Sequence, residues 1–129
     1  MKKTILLFIL ILQGAVSASA QLYRYLDTNQ GLSSRRVIAI EKDTKGYMWF
    51  LTHEGVDRYN GKQFTHYPLL DKNKSIQQPP NLSHLQVDET GNIWVIGKNG
   101  YIFKYNSHQN KYDLVMNFAD SLQTTRRLP

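Results

Sequence analysis

The sequence of 129 residues contains no cysteine. Small exported domains often depend on disulfides for their stability, and this chain cannot form one. The same absence excludes a lipid anchor on an N-terminal cysteine, because no cysteine follows the apolar run near the start of the chain. Packing and strand pairing must therefore hold the fold together.

Long apolar runs are nearly absent. The unbroken run of residues 5–12 follows a positively charged start and ends before Gln13, so it is shorter than the roughly 20 residues that a membrane-spanning helix needs. A positive start, a short apolar run and the small residues 18–20 are the pattern of a cleavable export signal. We predict cleavage between Ala20 and Gln21, which places the mature chain in the periplasm or otherwise outside the cytoplasm.

Strong charge clusters are also absent. The chain has 16 Lys and Arg against 10 Asp and Glu, a net charge of +6. Its basic residues form nothing longer than pairs such as Arg35-Arg36. A nucleic-acid surface gathers Lys and Arg on one face, and an exported protein seldom meets nucleic acid. We therefore predict no nucleic-acid partner.

No window of the mature sequence shows the 3.6-residue apolar period of an amphipathic helix. The sequence instead contains an internal repeat with a constant offset of 45 residues, from 37–55 to 82–100. Four pairs of residues coincide at this offset: Asp43 with Asp88, Gly46 with Gly91, Trp49 with Trp94, and Gly55 with Gly100. Since both tryptophans of the chain take part, we interpret the repeat as the structural unit of the protein.

Each copy of the repeat predicts four short strands. Those of the first copy are residues 37–42, 47–52, 56–59 and 63–67, and those of the second are 82–87, 92–96, 101–105 and 111–116. Asp-first, Gly-last turns and Asn-Gly between strands favour antiparallel hairpins. The second strand of each copy is apolar at every position of 48–51 and 93–96, so both of its faces should be buried. In a propeller, each sheet packs against a neighbour on both of its faces, whereas each sheet of a β-sandwich buries one face. The sequence therefore predicts an all-β fold with two four-stranded antiparallel blades of a partial β-propeller, after an N-terminal signal helix.

Patterns typical of catalysis and metal binding are lacking. The four histidines, His53, His66, His84 and His108, have no second ligand at a metal-binding spacing. No catalytic triad pattern and no phosphate-binding loop occur. We therefore predict no metal, no cofactor and no enzymatic activity in this chain. The carboxylates of Asp43 and Asp88 begin turns, where they can accept backbone N–H groups, so a structural role is favoured over catalysis.

Aromatic residues are the remaining candidates for ligand contact. Trp49 and Trp94 could stack on sugars, but their repeated position favours packing between blades. Tyr67, Tyr101 and Tyr112 are better candidates for surface aromatics, although no pattern distinguishes them. The sequence therefore leaves the ligand-binding residues unknown.

The repeat resembles that of the two-component regulator propeller family. The family pattern runs Gly-Leu-Ser, a short apolar strand, Asp-x-x-Gly-x-x-Trp-apolar-x-Thr, and Gly-Leu-x-x-Tyr-x-Gly. The first copy follows it closely at residues 31–33, 43–52 and 55–61. The second copy keeps Leu-Ser at 82–83 and the four repeat residues, but it has Gly97 in place of Thr and one extra residue in the hairpin that follows. The resemblance covers nearly all of the mature chain.

This resemblance implies a sensory role. Such repeats typically form periplasmic propellers at the front of hybrid histidine kinases in gut Bacteroidetes, where an external oligosaccharide alters a membrane-spanning dimer and so the kinase inside. By resemblance, the partners of this chain are an oligosaccharide and the remaining blades of a longer, membrane-anchored, dimeric protein. The kinase itself is absent from these residues. Two interpretations stay open beside it: a fragment of an exported propeller lyase or hydrolase, and a structural or protein-interaction propeller.

The repeat divides the chain into six segments. Residues 1–20 are the signal, 21–36 an N-terminal strand and lead-in, 37–70 the first blade, 71–81 the loop between blades, 82–118 the second blade, and 119–129 the start of a third. A closed ring needs roughly 4–8 blades. We therefore expect the chain to be a truncated piece of a longer sensor.

Overall fold

A computed structural model describes residues 1–6, 23–69, 81–98 and 100–118. The predicted cleavage point between Ala20 and Gln21, most of the loop between the blades, and the predicted start of a third blade lie outside these ranges. Residues 2–6 are helical. Within the described ranges, no helix is both long enough and apolar enough to cross a membrane.

The first four strands form one antiparallel sheet in sequential order, which we call blade 1. Its strands are β1 (Val37–Lys42), β2 (Met48–Thr52), β3 (Gly55–Tyr59) and β4 (Phe64–Tyr67). Gly46 and Gly61 close two of its turns with φ angles of 90° and 93°. A side chain strongly disfavours that conformation, so glycine permits these tight connections.

The next four strands form a second sheet with the same order, which we call blade 2. Its strands are β5 (Leu82–Val87), β6 (Ile93–Gly97), β7 (Tyr101–Asn106) and β8 (Lys111–Asn117). The two sheets confirm the predicted all-β architecture. Leu82 pairs with Gly97 as Val37 pairs with Thr52. Leu-Ser at 82–83 therefore lies inside a strand and is not the structural counterpart of Leu-Ser at 32–33.

The two blades pack face to face around one apolar core. Trp49, Leu51 and Val56 of blade 1 share this core with Val95 and Phe103 of blade 2. All five side chains are at most 1% exposed. Burying a large apolar side chain contributes about 1.5–3 kcal/mol, so the contact between blades is a major source of stability.

The opposite face of blade 1 is covered by the lead-in to β1. Leu26 and Leu32 of this segment pack with Phe50, Tyr59 and Phe64 of the blade in a second, smaller apolar cluster. Blade 1 therefore lies between blade 2 on one side and the lead-in on the other.

The described part of the lead-in contains no strand, contrary to the predicted N-terminal strand. It forms a short 3₁₀ turn, Thr28–Gln30, with Asp27 as its N-cap. Further back, the Arg24 guanidinium donates to the Tyr59 hydroxyl at 2.8 Å. A strand needs a hydrogen-bonded neighbour, and none of the described strands pairs with this segment. Side-chain contacts hold it in place instead.

The second strands of the two blades differ in burial. In β2, the four residues from Trp49 to Thr52 are all buried, as predicted. In β6, Ile93 and Val95 face blade 1 and are buried, whereas Trp94 and Ile96 alternate to the other face and are half-buried. The prediction of two buried faces is wrong for β6, because no described sheet covers the far side of blade 2.

Candidate functional site: the cleft between the blades

The turn between β1 and β2 is organised by one carboxylate. Asp43 Oδ1 accepts the backbone N–H groups of Lys45 and Tyr47, each at 2.9 Å. Asp43 Oδ2 accepts the indole N–H of Trp49 at 2.8 Å. Gly46 closes the turn with a backbone hydrogen bond to the Asp43 carbonyl. The carboxylate therefore fixes both the turn and the orientation of the tryptophan.

The turn between β5 and β6 repeats this arrangement. Asp88 Oδ1 accepts the backbone N–H groups of Thr90 and Asn92, and Oδ2 accepts the Trp94 indole N–H at 2.8 Å. Gly91 has a positive φ of 82°. Donation by Trp94, then Asn92 and Thr90, holds the pKa of the Asp88 carboxyl well below its usual range. The shared Asp–Trp hydrogen bond explains the six-residue spacing of the two residues in both copies.

Trp49 and Trp94 occupy equivalent positions but different environments. Trp49 is 1% exposed and packs on Tyr105 and Tyr112 of blade 2, with ring centroids 4.9 and 6.3 Å away. Trp94 lies on the far side of blade 2, where the Lys104 ammonium is 5.0 Å from its ring centroid. The expected equivalence holds for position and hydrogen bonding. It fails for burial, because no described sheet packs on Trp94.

Gly55 and Gly100 are not equivalent in the two sheets. Gly55 lies within the β-ladder, opposite Thr52. Gly100 lies in the turn before β7, where its N–H bonds to the Gly97 carbonyl, because the second hairpin has the extra residue noted in the sequence. Gly55 also has a stricter steric role: a Cβ at this position would lie 2.6 Å from the Tyr67 carbonyl oxygen.

Two of the three tyrosines predicted as surface aromatics are buried. Tyr67 and Tyr112 are 4% and 6% exposed and belong to the core between the blades. Burial raises the pKa of both phenols above the usual range, so both stay protonated. Tyr101 is half-buried and stacks on Phe103 at 6.2 Å. Tyr67 and Tyr112 are buried because blade stacking turns the outer strands of both sheets toward each other at this point.

A cleft of 580 Å³ opens between the blades at the end where the two Asp turns lie. Its lining comes from the β1–β2, β5–β6 and β7–β8 turns and from neighbouring strand residues of both blades. The lining residues are Asp43, Thr44, Lys45, Tyr47, Trp49, Arg58, Thr90, Gly91, Asn92, Ile93, Tyr105, Ser107 and Asn110. The cleft therefore combines three aromatic residues with many hydrogen-bonding side chains, so it is more polar than most small-ligand sites.

Arg58 is the central cation of this cleft. Its guanidinium lies 4.8 Å from the ring centroid of Tyr47, 5.6 Å from that of Trp49 and 5.5 Å from that of Tyr67. Among the described residues it donates one hydrogen bond, to the Tyr105 hydroxyl, at 3.1 Å. This cation–π arrangement orients the side chain across the boundary between the blades. The sequence analysis did not single out Arg58. The hairpin predicted from β2 to β3 would have placed it opposite the repeat tryptophan, as the structure does.

A second polar cluster lies under the lead-in. Asp57 is fully buried, and its carboxylate accepts the Ser33 N–H at 2.8 Å and the Ser33 hydroxyl at 2.7 Å. Its other oxygen bonds His66 Nδ1 at 2.7 Å. The buried Thr52 hydroxyl lies 3.0 Å from that of Ser33. Strand pairing makes Phe103 the counterpart of Asp57 in blade 2, so this cluster departs from the repeat.

The geometry of this cluster differs from that of a hydrolytic triad. In a triad the histidine lies between the nucleophile and the carboxylate, whereas here Asp57 lies between Ser33 and His66. Its role here is to tie the lead-in to blade 1. Among the described residues, no group of three or more His, Asp or Glu side chains converges in a geometry that could hold a metal ion.

No family model matches this chain, and no curated protein sequence matches it. Solved structures do match. One is the extracellular domain of BT3049, assigned to a hybrid two-component system of B. thetaiotaomicron, with a TM-score of 0.57 and 26% identity over 70% of this chain and 13% of that one. Another is the extracellular domain of BT4673, assigned to a one-component system of the same organism, with a TM-score of 0.55 and 21% identity over 80% of this chain and 14% of that one.

The chain thus spans 13–14% of the length of these two structures. The likeness to BT4673 concerns the fold alone, since its identity is low. Together with the two stacked four-stranded sheets, these matches show that the chain is a partial β-propeller of two blades. Its structural neighbours are extracellular domains of bacterial signalling systems.

Proposed function

We propose that this chain forms two blades of an extracytoplasmic sensor propeller, which responds to a carbohydrate and signals to a histidine kinase outside these residues. The observation that carries the proposal is the likeness to the extracellular domain of BT3049, which combines 26% identity with the same fold. The resemblance of residues 31–61 to the regulator propeller pattern supports the same role. The export signal predicted in residues 1–20 agrees with a position outside the cytoplasm.

The far face of blade 2 supports a partnership with further blades. On blade 1, the face that carries Trp49 and Arg58 is covered by blade 2. The corresponding face of blade 2 carries Trp94 and Lys104 at matched, paired positions. A half-buried tryptophan on an apolar sheet face favours a covering partner. We propose that this partner is a third four-stranded blade of a longer chain.

The cleft between the blades supports ligand binding. It is lined by side chains from both sheets, so a bound ligand would bridge the blades and bias their relative position. Such a bridge is one physical route from ligand binding to a change in the shape of a propeller, because a ligand shifts a conformation only through different affinities for its states.

A screen of oligosaccharides tests this function. The purified chain would be unfolded by heat in the presence of plant and host glycans, and any stabilising glycan would be titrated by calorimetry. A ligand at 100 times its Kd should stabilise the chain by about 2.7 kcal/mol, which corresponds to roughly 11–22 °C at about 4–8 °C per kcal/mol in a domain of this size. Failure of every glycan to bind a chain that is folded by circular dichroism would contradict the proposal.

The predicted export has a separate test. N-terminal sequencing of the chain recovered from outside the cytoplasm should start at Gln21. Material that retains Met1 and stays in the cytoplasm would contradict both the signal and the extracytoplasmic sensor.

A further inference from the structure

Some acceptors of the cleft are already hydrogen-bonded, whereas some of its cationic donors are free. This difference indicates the kind of ligand that the cleft would bind. Two of its side-chain acceptors already accept several hydrogen bonds. The Asp43 carboxylate accepts from two backbone N–H groups and from Trp49. The Asn110 carbonyl oxygen accepts from the hydroxyls of Tyr67 and Tyr105, at 2.8 and 2.7 Å. A ligand that enters the cleft therefore meets few free acceptors among these groups.

The free donors of the same cleft are concentrated on its cations, since the Trp49 indole, the Asn92 amide and the Tyr105 hydroxyl already donate within the protein. A guanidinium has five N–H donors, and Arg58 uses one of them on Tyr105. Within the described part of the chain, neither the Lys45 ammonium nor the Asn110 amide nitrogen has a hydrogen-bond partner. Both residues line the cleft with Arg58. The surplus of donors, two of them cationic, complements a ligand group that carries only acceptors.

The position opposite Arg58 in the ladder carries no carboxylate, unlike the corresponding position of blade 2. Strand pairing places Asp113 directly opposite Lys104 in blade 2, whereas Thr65 is directly opposite Arg58 in blade 1. Opposite charges at such positions attract each other. Among the described carboxylates, none lies within ion-pair distance of the Arg58 guanidinium. Blade 2 therefore supplies a counter-charge at the site where blade 1 supplies a neutral hydroxyl.

We propose that the cleft binds an acidic saccharide, with the sugar carboxylate held by Arg58 and assisted by Lys45 and Asn110. The proposal rests on the sensor function above and specifies its substrate class. A carboxylate has two acceptor oxygens, and a guanidinium can donate to both at once. The flanking Tyr47 and Tyr105 provide the ring surface that a sugar contacts. A neutral sugar cannot satisfy the cationic donors in the same way.

The test compares two sugars that differ only at C6. D-glucuronate carries a carboxylate there and D-glucose a hydroxymethyl group. The purified chain would be titrated with each, with tryptophan fluorescence as the readout because Trp49 lines the cleft. Glucuronate should bind roughly tenfold more tightly, because charge-assisted hydrogen bonds are roughly twice as strong as neutral ones. Added salt should weaken this preference.

Three variants locate the effect. Arg58→Gln should abolish the preference for glucuronate, and Lys45→Gln, in an exposed turn that tolerates substitution, should reduce it without affecting folding. Lys104→Gln is the matched control. It removes the same charge from the corresponding position of blade 2, outside the cleft, and should bind as the unaltered chain does. A preference that Arg58→Gln and Lys45→Gln both retain would overturn the proposal.

Other outcomes separate this inference from the proposed function. Equal binding of glucuronate and glucose would reject the acid site while carbohydrate sensing stands. Displacement of glucuronate by equimolar sulfate would indicate a general anion site and would overturn the saccharide assignment. If the folded chain binds neither sugar and no glycan of the wider screen, both the inference and the proposed function fail.

Discussion

At the scale of single residues, the two repeated tryptophans make the same hydrogen bond but lie in different environments. Each indole donates to the aspartate that begins its turn at 2.8 Å. Trp49 is then enclosed by blade 2, whereas Trp94 remains half-buried. The energetic role of each indole therefore depends on the sheet that covers it more than on its hydrogen bond.

Replacement of the two tryptophans should thus have unequal effects. Trp49→Ala should destabilise the chain by about 3–5 kcal/mol, because it opens a cavity between the blades. Trp94→Ala should cost clearly less, since its ring already contacts solvent. Urea unfolding at low protein concentration, followed by circular dichroism, measures both values. Equal losses would show that Trp94 is covered by something outside the described residues.

The lowered pKa of Asp88 makes a prediction about acid stability. Its folded pKa lies below the ordinary value of 3.8 because Trp94, Asn92 and Thr90 donate to the ionised carboxylate. The stabilisation is therefore complete above the unfolded pKa and is lost as the pH falls through the folded pKa. The thermal unfolding temperature should drop below a pH of about 4. The drop should be smaller in Asp88→Asn, and parallel pH profiles for the two proteins would contradict this.

Some residues of the site could be predicted from the sequence and others could not. Asp43 and Gly46 have local roles within one turn, so composition and spacing were sufficient to predict them. Asp57 and Ser33 meet across 24 positions of the chain, and Tyr67 is buried by a strand of the other blade. Such contacts depend on how the sheets stack, and no local pattern encodes them.

At the scale of elements, the strands agree with the prediction to within one residue at every end. The strand boundaries could be predicted because they depend on local sequence, namely apolar runs that end at turns rich in Gly and Asn. The sequence did not reveal the register shift that both blades have in their first strand, between Val37 and Ala39 and between Leu82 and His84. Its recurrence at matched positions shows that the repeat extends to backbone detail. The described part of the lead-in differs from the predicted strand, since it covers the outer face of blade 1 without forming a strand.

The lead-in should open away from blade 1 more often when the hydrogen bond between Ser33 and the buried Asp57 is removed. Ser33→Ala eliminates the hydroxyl that donates to Asp57 at 2.7 Å, a charge-assisted hydrogen bond worth about 1.5–3 kcal/mol. Hydrogen exchange of residues 26–33, followed by mass spectrometry, should accelerate while exchange in β6 is unchanged. Ser34→Ala is the control, because within the described residues its hydroxyl accepts from the nearby Arg36 N–H and makes no bond to blade 1. Unchanged exchange in Ser33→Ala would mean that the remaining contacts of the lead-in, including Leu26, Leu32 and the backbone N–H of residue 33, suffice to hold it on blade 1.

At the scale of the whole molecule, the two outer faces of the blade pair are not alike. The lead-in covers the outer face of blade 1. The outer face of blade 2 carries Trp94 and Ile96, and the neighbouring Met116 is 42% exposed. The asymmetry matches a piece of a propeller in which one face continues into further blades. Among the described residues, nothing covers this apolar sheet face.

The chain alone should therefore self-associate through the open face of blade 2. Apolar sheet faces and unpaired edges are common sites of association, and the chain has no disulfide that could rigidify it. Sedimentation velocity over a wide range of protein concentrations should show species larger than the monomer, with the larger species growing as concentration rises.

A charge on the open face should reverse this behaviour. Ile96→Lys places an ammonium at the centre of that face, where desolvation opposes burial, while Ile93 and Val95 still pack on blade 1. The variant should sediment mainly as a monomer with an unchanged circular dichroism spectrum. Gln63→Lys adds the same charge at an exposed position of blade 1 and should associate as the unaltered chain does. A monomeric, cooperatively unfolding unaltered chain would show that two blades suffice, which would remove the physical reason for a third blade on this face.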